Sequence, residues 1–244
     1  MLVFRGLDSS LPIMNKAILA GAAFICVALT ARADYLIKED IERSGKVQPI
    51  SVNIKGTKIR VDMAETNSVI VDSATGEMTI LFHPQKSYLR ISADTVKAQA
   101  KALRALLGQK SDDTAAVELK PTGNHEQIDG YDTEEYTTEF NGIPMTFFVA
   151  KTYPNYQKVL EALTQLQSSP VFGEARGLVL PPDKLPGLPL RTIQSIKGEQ
   201  IVTSINSVQE TNLPDSEFSM PGDYKQLTPP ATAKKDAQTD QLPK

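Results

Sequence analysis

The feature that most constrains the fold of this chain is a repeated alternation of apolar and polar residues. Two stretches, TKIRVDM and EMTILFH, show it clearly, and their alternate apolar positions are Ile59, Val61, Met63, Met78, Ile80 and Phe82. Successive side chains of a β-strand point to opposite faces of a sheet. The alternation therefore predicts strands with one buried face and one solvated face.

Turn signals separate the alternating stretches. The breaks in the first third of the chain are Ser44-Gly45, Lys55-Gly56, Thr75-Gly76 and Pro84-Gln85. Connections this short predict a meander of about six antiparallel strands. Later turns are predicted at Asp129-Gly130, Asn141-Gly142 and Lys197-Gly198. Asn-Gly in particular supplies the two positive φ angles of a type I′ hairpin turn.

Two segments change from the strand period to the helical period. The first covers residues 93–107, where Ser92 or Asp94 can cap the start and Gly108 can end the helix. Its apolar stripe is Val96, Ala100, Leu103 and Leu107. The second begins near Pro154, and its stripe is Tyr156, Val159, Leu160, Leu163 and Leu166. Polar residues 109–123 predict a loop, and proline-rich residues 177–190 predict an extended connector or flap.

Together these elements predict a mainly β (α+β) protein, a curved antiparallel sheet with two packed helices. A curved sheet that wraps around helices buries the apolar faces of both. We expect residues 34–227 to form a single β-rich domain. Residues 228–244 lack apolar periodicity and are predicted to be a disordered C-terminal tail.

The N-terminus has the pattern of a secretory signal peptide. Lys16 supplies a positive charge, residues 17–30 form an apolar run, and the stretch that ends at Ala33 fits a cleavage site. The run is shorter than the ~18 residues of a membrane-spanning helix. We therefore expect residues 1–33 to be removed by cleavage after Ala33, and the mature protein to be periplasmic or secreted and not membrane-spanning. Either Met1 or Met14 is the true start.

Cysteine content and charge limit the partners of the mature chain. Cleavage after Ala33 removes Cys26, the only cysteine of the sequence. The mature protein would then be held together by its core and not by disulfides. The formal net charge is −3, and no face is dense in lysine and arginine. Such a chain is a poor nucleic-acid binder, so nucleic acid is not an expected partner.

The segment PTGNHEQIDGYDTEEY, residues 121–136, is the richest in titratable groups, with five acidic residues around His125. An acid–base site needs a base near its proton and a partner that shifts its pKa. Strand alternation, however, points Glu126 away from His125. Asp129-Gly130 is a strong turn signal. We interpret the segment as a hairpin with a solvated acidic rim.

No other motif predicts catalysis, a metal or a cofactor. His83 and His125 are the only histidines, too few for a typical zinc site. The chain has no G-x-S-x-G motif, no phosphate loop and no calcium loop. A pair of carboxylates at glycosidase spacing stays open, because that distance depends on tertiary structure. We predict no catalytic residues, no metal and no cofactor, and a protein that is not an enzyme.

Nine apolar residues are candidates for lining a site that binds an apolar ligand. They are Ile59, Val61, Met63, Val71, Met78, Ile80, Phe82, Met145 and Phe147. Methionines on a sheet face adapt to irregular ligands, and they fill gaps in a core equally well. For most of the nine, a place in the core beneath the two helices is the simpler interpretation.

Several stretches together resemble a family of secreted bacterial proteins. They are GTKIRVDM, VIVDSATGEMTILFHPQKSYLRIS, TGNHEQIDGYDTEEY, FFVAKTYP, GLPLRT and SINSVQETNLPDSEFSMPGDYKQL, which cover most of residues 50–227. The family is domain of unknown function 4412, and it looks similar in architecture to the LolA/LolB lipoprotein carriers of the Gram-negative envelope. The resemblance implies a periplasmic half-open barrel whose concave face, covered by helices, holds acyl chains. It implies no catalytic residues.

Three functional hypotheses follow. The leading one is non-catalytic binding of a lipid, a lipoprotein acyl chain or another apolar ligand in the concave face of the sheet. The second is an envelope interaction module that docks a protein partner through residues 178–189 and a sheet edge. The third is an unrecognised hydrolase. The sequence does not predict the ligand, the partner or the oligomeric state.

Overall fold

In the computed structural model, the described residues are 34–106, 117–167 and 180–228. They form twelve strands in one curved, unclosed sheet, together with two helices. Within these ranges no helix is long and apolar enough to span a membrane. The predicted signal peptide, its cleavage site and nearly all of the predicted tail lie outside the described residues.

The N-terminal half of the sheet is a meander of six strands, as the alternation and the turn signals predicted. Each strand pairs antiparallel with the next one along the chain. The strands are β1 (Asp34–Arg43), β2 (Lys46–Lys55), β3 (Lys58–Met63), β4 (Asn67–Asp72), β5 (Met78–Phe82) and β6 (Ser87–Ile91).

Five more strands form the C-terminal half. They are β7 (Lys120–Ile128), β8 (Tyr131–Phe140), β9 (Ile143–Ala150), β10 (Leu188–Ile196) and β11 (Glu199–Thr211). They pair antiparallel in chain order, and β11 also pairs with β1, which joins the two halves. A short strand, β12 (Lys225–Gln226), pairs parallel with β6. The sheet is therefore mixed, and only this edge departs from the predicted antiparallel arrangement.

Four of the predicted turn dipeptides have positive φ angles at both residues, as type I′ turns require. The angles lie between 49° and 82° in Ser44-Gly45, Asp129-Gly130, Asn141-Gly142 and Lys197-Gly198. Each dipeptide connects two paired strands with no other residue between them. The turns thereby fix the register, and with it the face to which each strand residue points.

The first predicted helix is α1 (Ala93–Leu106), which follows β6 after one residue. Ser92 Oγ accepts a hydrogen bond from the backbone N–H of Thr95 at 3.3 Å, so Ser92 caps the helix. The described members of its predicted stripe are only half-buried: Val96, Ala100 and Leu103. None of the side chains of α1 that the structure describes is fully buried, so this helix contributes little to the core.

The second predicted helix is α2 (Tyr156–Gln167). Its predicted stripe is confirmed at the positions whose side chains are described. Val159, Leu160 and Leu163 are buried, and Tyr156 is half-buried. This helix is therefore packed firmly on the sheet, in contrast to α1.

The predicted loop at residues 109–123 ends earlier than expected, because β7 begins at Lys120. Pro121 and Gly123 disfavoured a strand in the sequence. In the structure the register of β7 against β8 shifts between Pro121 and His125, so the ladder is irregular where these residues occur. β7 is an edge strand, which is where a sheet tolerates proline.

The proline-rich segment is more regular than the predicted connector or flap. Residues Pro182–Lys184 form a 3-10 helix, and β10 begins already at Leu188. Leu180 and Leu185 are buried in the core. The segment is thus held to the sheet by its leucines, because these apolar side chains find cover beside α2.

The two faces of the sheet carry cores of different size. The larger core lies on the face that α2 covers, and we call this face the concave face. Its buried sheet residues include Tyr35, Ile37, Ile50, Val52, Ile54, Ile59, Val61, Met63, Val69, Val71, Ile80, Met145, Phe147 and Val149. The smaller core lies on the opposite, convex face and consists of Ile70, Leu81 and Tyr88, with Met220 and Tyr224 packed against it.

The C-terminal segment, residues 213–227, is fastened across the convex face. Arg60 Nη1 donates a hydrogen bond to the carbonyl oxygen of Glu217 at 2.9 Å. The backbone N–H of Lys225 donates to the carbonyl oxygen of Lys86 at 2.9 Å. The convex face of the first meander therefore holds this C-terminal segment, which covers the smaller core.

The close contact between the start of β10 and the end of β9 depends on Gly187, because glycine has no side chain. A Cβ at Gly187 would lie 2.6 Å from the carbonyl oxygen of Ala150. We expect Gly187→Ala to lower the free energy of unfolding by about 1–3 kcal/mol, because backbone atoms must move apart. Urea unfolding measures this change. The control is Gly222→Ala, whose Cβ would meet no atom within 4 Å; equal effects of the two substitutions would contradict the close packing.

Candidate functional site on the concave face

The strand register lines up the predicted ligand-lining residues in rows that cross the concave face. Ile59 of β3 pairs with Val71 of β4, which pairs with Met78 of β5. Two parallel rows follow, Val61 with Val69 and Ile80, and Met63 with Asn67 and Phe82. Seven of the nine predicted residues lie in these three rows.

The other two predicted residues, Met145 and Phe147, lie on β9 in the C-terminal half of the sheet. They belong to the same hydrophobic core as the first seven. Ile59 and Phe147 are 0 % exposed, whereas Met78 and Phe82 are only partly buried. The structure thus brings all nine residues onto one apolar face that spans both halves of the sheet.

Residues from outside the sheet cover part of this face. Val159, Leu160 and Leu163 of α2 belong to the same core, as do Leu180 and Leu185 of the proline-rich segment. The face therefore presents aliphatic, aromatic and thioether groups, with little polar surface. Such a surface matches methylene chains, since apolar contact is favoured by ~25 cal/mol per Å² removed from water.

One acidic residue, Glu39 of β1, lies within the apolar face. Tyr35 and Ile37 precede it at alternate positions of β1 and are buried in the concave core. Glu39 takes the next position of the same alternation and is only 6 % exposed. Sequence reasoning missed this residue, because it considered only the apolar members of the face. The signal was present as an acid within an otherwise apolar alternation, DYLIKEDI.

The strands on both sides place apolar residues beside Glu39. It pairs with Ile205 on β11 and with Ile50 on β2. Ile50 pairs onward with Met63, so Glu39 lies in the same row as a predicted lining residue. Within the described part of the chain, the Glu39 carboxyl has no hydrogen-bond or ion-pair partner.

These surroundings change the acidity of Glu39. Burial raises its pKa from the ordinary value of 4.5 to about 7, because the ionised carboxylate loses its hydration. A large share of the Glu39 carboxyl groups is therefore protonated near neutral pH. A protonated carboxyl carries one O–H donor and can still accept hydrogen bonds.

A second carboxylate, Glu134 of β8, has the opposite environment. Lys151 Nζ donates a hydrogen bond to it at 2.5 Å, and Tyr136 Oη donates another at 2.7 Å. The bond from Lys151 is the larger cause of a lowered pKa of Glu134. Glu134 pairs with Val149 of the concave core, yet its side chain is 21 % exposed. Glu134 is thus paired at the margin of the concave face, whereas Glu39 has a raised pKa and no partner among the residues that the structure describes.

The acidic segment around His125 is a hairpin of β7 and β8, as predicted. His125 Nδ1 lies 3.2 Å from Asp132 Oδ2, and both side chains are more than half exposed. Glu126 instead accepts two hydrogen bonds from Arg191, at 2.8 and 2.9 Å. The histidine–carboxylate contact therefore lacks the water-excluded pocket that catalytic sites use. In the described ranges no group of three or more His, Cys, Asp or Glu is placed to hold a metal ion.

A polar network on the convex face was also missed by sequence reasoning. Ser68 Oγ lies 2.6 Å from His83 Nε2, and His83 Nδ1 lies 2.6 Å from Tyr224 Oη. Ser68 also donates a hydrogen bond to Asp62, which accepts another from Arg60 at 2.6 Å. The alternation that places Asp62 opposite Ser68 on the outward side of β3 and β4 was the available signal.

This network differs from a nucleophilic triad. Because Ser68 donates its only proton to Asp62, its oxygen accepts a hydrogen bond from His83 Nε2. The histidine then has no free lone pair with which to activate the serine. Ser68 is also 0 % exposed. The arrangement fits a structural role, fastening the C-terminal segment to the sheet.

The raised pKa of Glu39 makes stability depend on pH. The folded state holds this proton more tightly than the unfolded state, so stability is lost as pH rises from 4.5 through about 7. Compared with Glu39→Gln, we expect the wild type to lose about 3 kcal/mol of unfolding free energy over this range. Urea unfolding of both proteins at several pH values measures the difference.

The matched control is Glu139→Gln, at an exposed position of β8. It should follow the pH profile of the wild type. If the wild type and Glu39→Gln had parallel profiles, the carboxyl of Glu39 would not be buried as described.

Several solved structures are similar to the chain. PNGF-II in a C2 crystal form matches at 15% identity and a TM-score of 0.36, over 80% of this chain and only 31% of PNGF-II. A LolA superfamily protein from Nitrosomonas europaea matches at 11% and 0.30, over 83% of this chain and 96% of that one. Lipoprotein LppX of Mycobacterium tuberculosis matches at 11% and 0.38, over 73% and 88%. At such identities and TM-scores no residue role transfers.

Comparison of the sequence itself gives a firmer result. No curated protein matches significantly. The profile of a family described as a domain of unknown function (DUF4412) matches residues 30–224. This range contains β1 to β11 and both helices, and it agrees with the resemblance carried by the short stretches of the sequence. The chain therefore belongs to the DUF4412 family of domains of unknown function.

Proposed function

We propose that this protein binds an apolar ligand, such as a lipid or the acyl chain of a lipoprotein, in the concave face of its sheet and performs no catalysis. The observation that carries the proposal is the apolar face that crosses both halves of an unclosed sheet. Its proposed ligand-lining residues are Ile59, Val61, Met63, Val71, Met78, Ile80, Phe82, Met145 and Phe147.

Two features favour a face that binds a ligand over an ordinary hydrophobic core. β7 and β12 are edges of the sheet, so a ligand can approach without breaking strand pairs. Met78 and Phe82 on the face are partly buried. Apolar groups that keep some contact with water gain when a ligand covers them.

The expected affinity requires a cover that can move. An acyl chain that buries ~10 methylene groups gains several kcal/mol at ~0.8 kcal/mol for each group. Reversible binding then needs an element whose displacement costs little. Of the two helices, α1 is the one whose displacement would cost less, because none of its described side chains is fully buried, whereas α2 belongs to the concave core.

We also propose an envelope location. The support comes from the sequence, where Lys16 and the apolar residues 17–30 precede a cleavage pattern that ends at Ala33. In this proposal residues 1–33 are removed, residues 34–227 form one domain, and residues 228–244 are a disordered tail. The absence of cysteine after Ala33 is compatible with export, since no disulfide has to form.

Docking of a protein partner is the second candidate function. β7 supports it, since this strand leaves one edge unpaired and all its residues except Ile128 are exposed. The strand also carries Pro121 and an irregular register up to His125. Both features discourage pairing with another strand. In the proline-rich segment, Leu180 and Leu185 are buried and not available to a partner. We therefore rank docking below ligand binding.

A bound lipid should accompany the protein through purification. We expect mass spectrometry of protein recovered from a periplasmic extract to detect acyl lipids in the organic phase. The intact mass of the same sample tests cleavage after Ala33. A ligand-free spectrum from protein with full thermal stability would contradict the binding proposal.

The position of the site can be tested by placing a charge on each side of β5. Met78→Glu adds a carboxylate to the concave face, and Thr79→Glu adds one to the convex face at a position that is equally half-buried. We expect Met78→Glu to weaken binding of the fluorescent fatty acid cis-parinaric acid at least about tenfold, because the new charge must lose its hydration. Fluorescence titration measures the affinity.

Thr79→Glu serves as the matched control and should change the affinity by less than about twofold. Circular dichroism of both variants shows whether they are folded. If the two substitutions weakened binding equally, the ligand would not lie on the concave face.

A further inference from the structure

The buried position of the Glu39 carboxyl is energetically unfavourable. A site that binds only plain hydrocarbon would have no use for this carboxyl. It is 6 % exposed, and its register partners are Ile50 and Ile205. Its carboxyl has no partner among the described residues. A buried polar group without a hydrogen bond destabilises the folded state, and an apolar residue here would avoid that penalty. A partner that arrives with the ligand would account for the carboxyl.

An irregularity of the sheet coincides with this position. The register of β1 against β11 shifts between Lys38 and Glu39, which leaves Asn206 without a partner across the ladder. Asn206 Nδ2 instead donates a hydrogen bond to Asp40 at 2.9 Å. Bulges are frequent beside functional sites, where they change the direction of a side chain. The bulge and the unpaired carboxyl thus mark the same place on the concave face.

We propose that the Glu39 carboxyl donates a hydrogen bond to the carbonyl oxygen of an acyl ester bound on the concave face, and so selects acyl lipids over plain hydrocarbons. This inference rests on the proposed function, since it requires an apolar ligand on that face. The chemistry is complementary, because a protonated carboxyl offers one donor and an ester carbonyl is an acceptor. No covalent step is involved.

The surroundings favour a neutral partner over a cation. The residues beside Glu39 on the same face of β1, β2 and β11 carry no charge and do not titrate: Ile37, Ile41, Ile50 and Ile205. Its chain neighbours Lys38 and Asp40 point to the opposite face. The charged residues of α2, Lys158 and Glu161, are exposed. A bound ammonium group would add a second ion that must be desolvated. A neutral carboxyl–ester pair avoids that penalty, and burial already favours the protonated form of Glu39.

The test uses the full mature chain after lipid removal, and displacement of an apolar fluorescent dye. The two competitors are methyl laurate and tetradecane, which have equally long chains and differ in the ester group. The proteins are the wild type, Glu39→Leu and Glu39→Gln, with Glu139→Gln as the control at an exposed position. Circular dichroism establishes that each variant is folded.

At about pH 5, where Glu39 is protonated, the ratio of ester affinity to alkane affinity should be at least about tenfold higher in the wild type than in Glu39→Leu. Glu39→Leu should favour the alkane, since it offers no donor and the ester group would lose its hydration without a hydrogen bond. Glu39→Gln should keep the wild-type ratio, because its amide N–H can donate to the same carbonyl. Glu139→Gln should behave as the wild type.

The pH dependence gives an independent readout. As pH rises through about 7, the wild type should lose its preference for the ester, because the ionised carboxylate no longer donates. Glu39→Gln should keep a constant preference over the same range. If Glu39→Gln only disturbed the structure of the site, it would not remove the pH dependence of the binding preference and at the same time keep the preference for the ester.

The outcomes separate the two proposals. An ester-to-alkane affinity ratio that is the same in the wild type and in Glu39→Leu would overturn the role of Glu39 and leave the proposed function intact. No binding of the dye or of either competitor would overturn the proposed function itself. Tighter binding of dodecylammonium to the wild type than to Glu39→Gln at about pH 9 would assign Glu39 to a cationic ligand and refute the ester assignment.

Discussion

The pairing of β1 with β11 is the interaction on which the rest of the structure depends. β1 begins the first meander and β11 ends the second, so their ladder joins two antiparallel arms into one sheet. The register runs from Asp34 opposite Thr211 to Arg43 opposite Ile201, contacts that require closure of nearly the whole chain. Backbone hydrogen bonds make this join. The buried concave side chains of β1 therefore do not all have to be apolar, and Glu39 differs in this respect from Tyr35 and Ile37.

The elements that the sequence predicted well depend on neighbours along the chain. The alternation of Ile59, Val61 and Met63 and the Asn141-Gly142 turn need only local backbone preferences, so both were readable. β12 depends on a contact between Lys225 and Ser87 of β6, and no local pattern announces such a pairing. β7 begins among residues with low strand propensity, and only the neighbouring β8 makes them extended.

The candidate site also has some features that the sequence predicted and others that it did not. Alternation fixes which side a residue faces, so the nine lining residues could be placed on one face from the sequence. It does not show whether a polar residue on that face has a partner, since partners come from other strands. Ser68 and Glu39 illustrate the limit. Ser68 gains His83 only through the pairing of β4 with β5, and Glu39 finds no polar partner across the described strands because its neighbours there are Ile50 and Ile205.

Buried polar groups thus have different surroundings on the two faces of the sheet. On the convex face, Ser68, His83 and Asp62 satisfy one another and fix the C-terminal segment. On the concave face, Glu39 has no such arrangement with any residue in the described ranges. The fold completes a polar network on the convex face, and the Glu39 carboxyl, which no described residue satisfies, is where we propose that a ligand supplies the partner. Departures from local consistency of this kind are typical of functional sites. A ligand that supplied the missing acceptor would bind the folded state alone and would stabilise it by mass action.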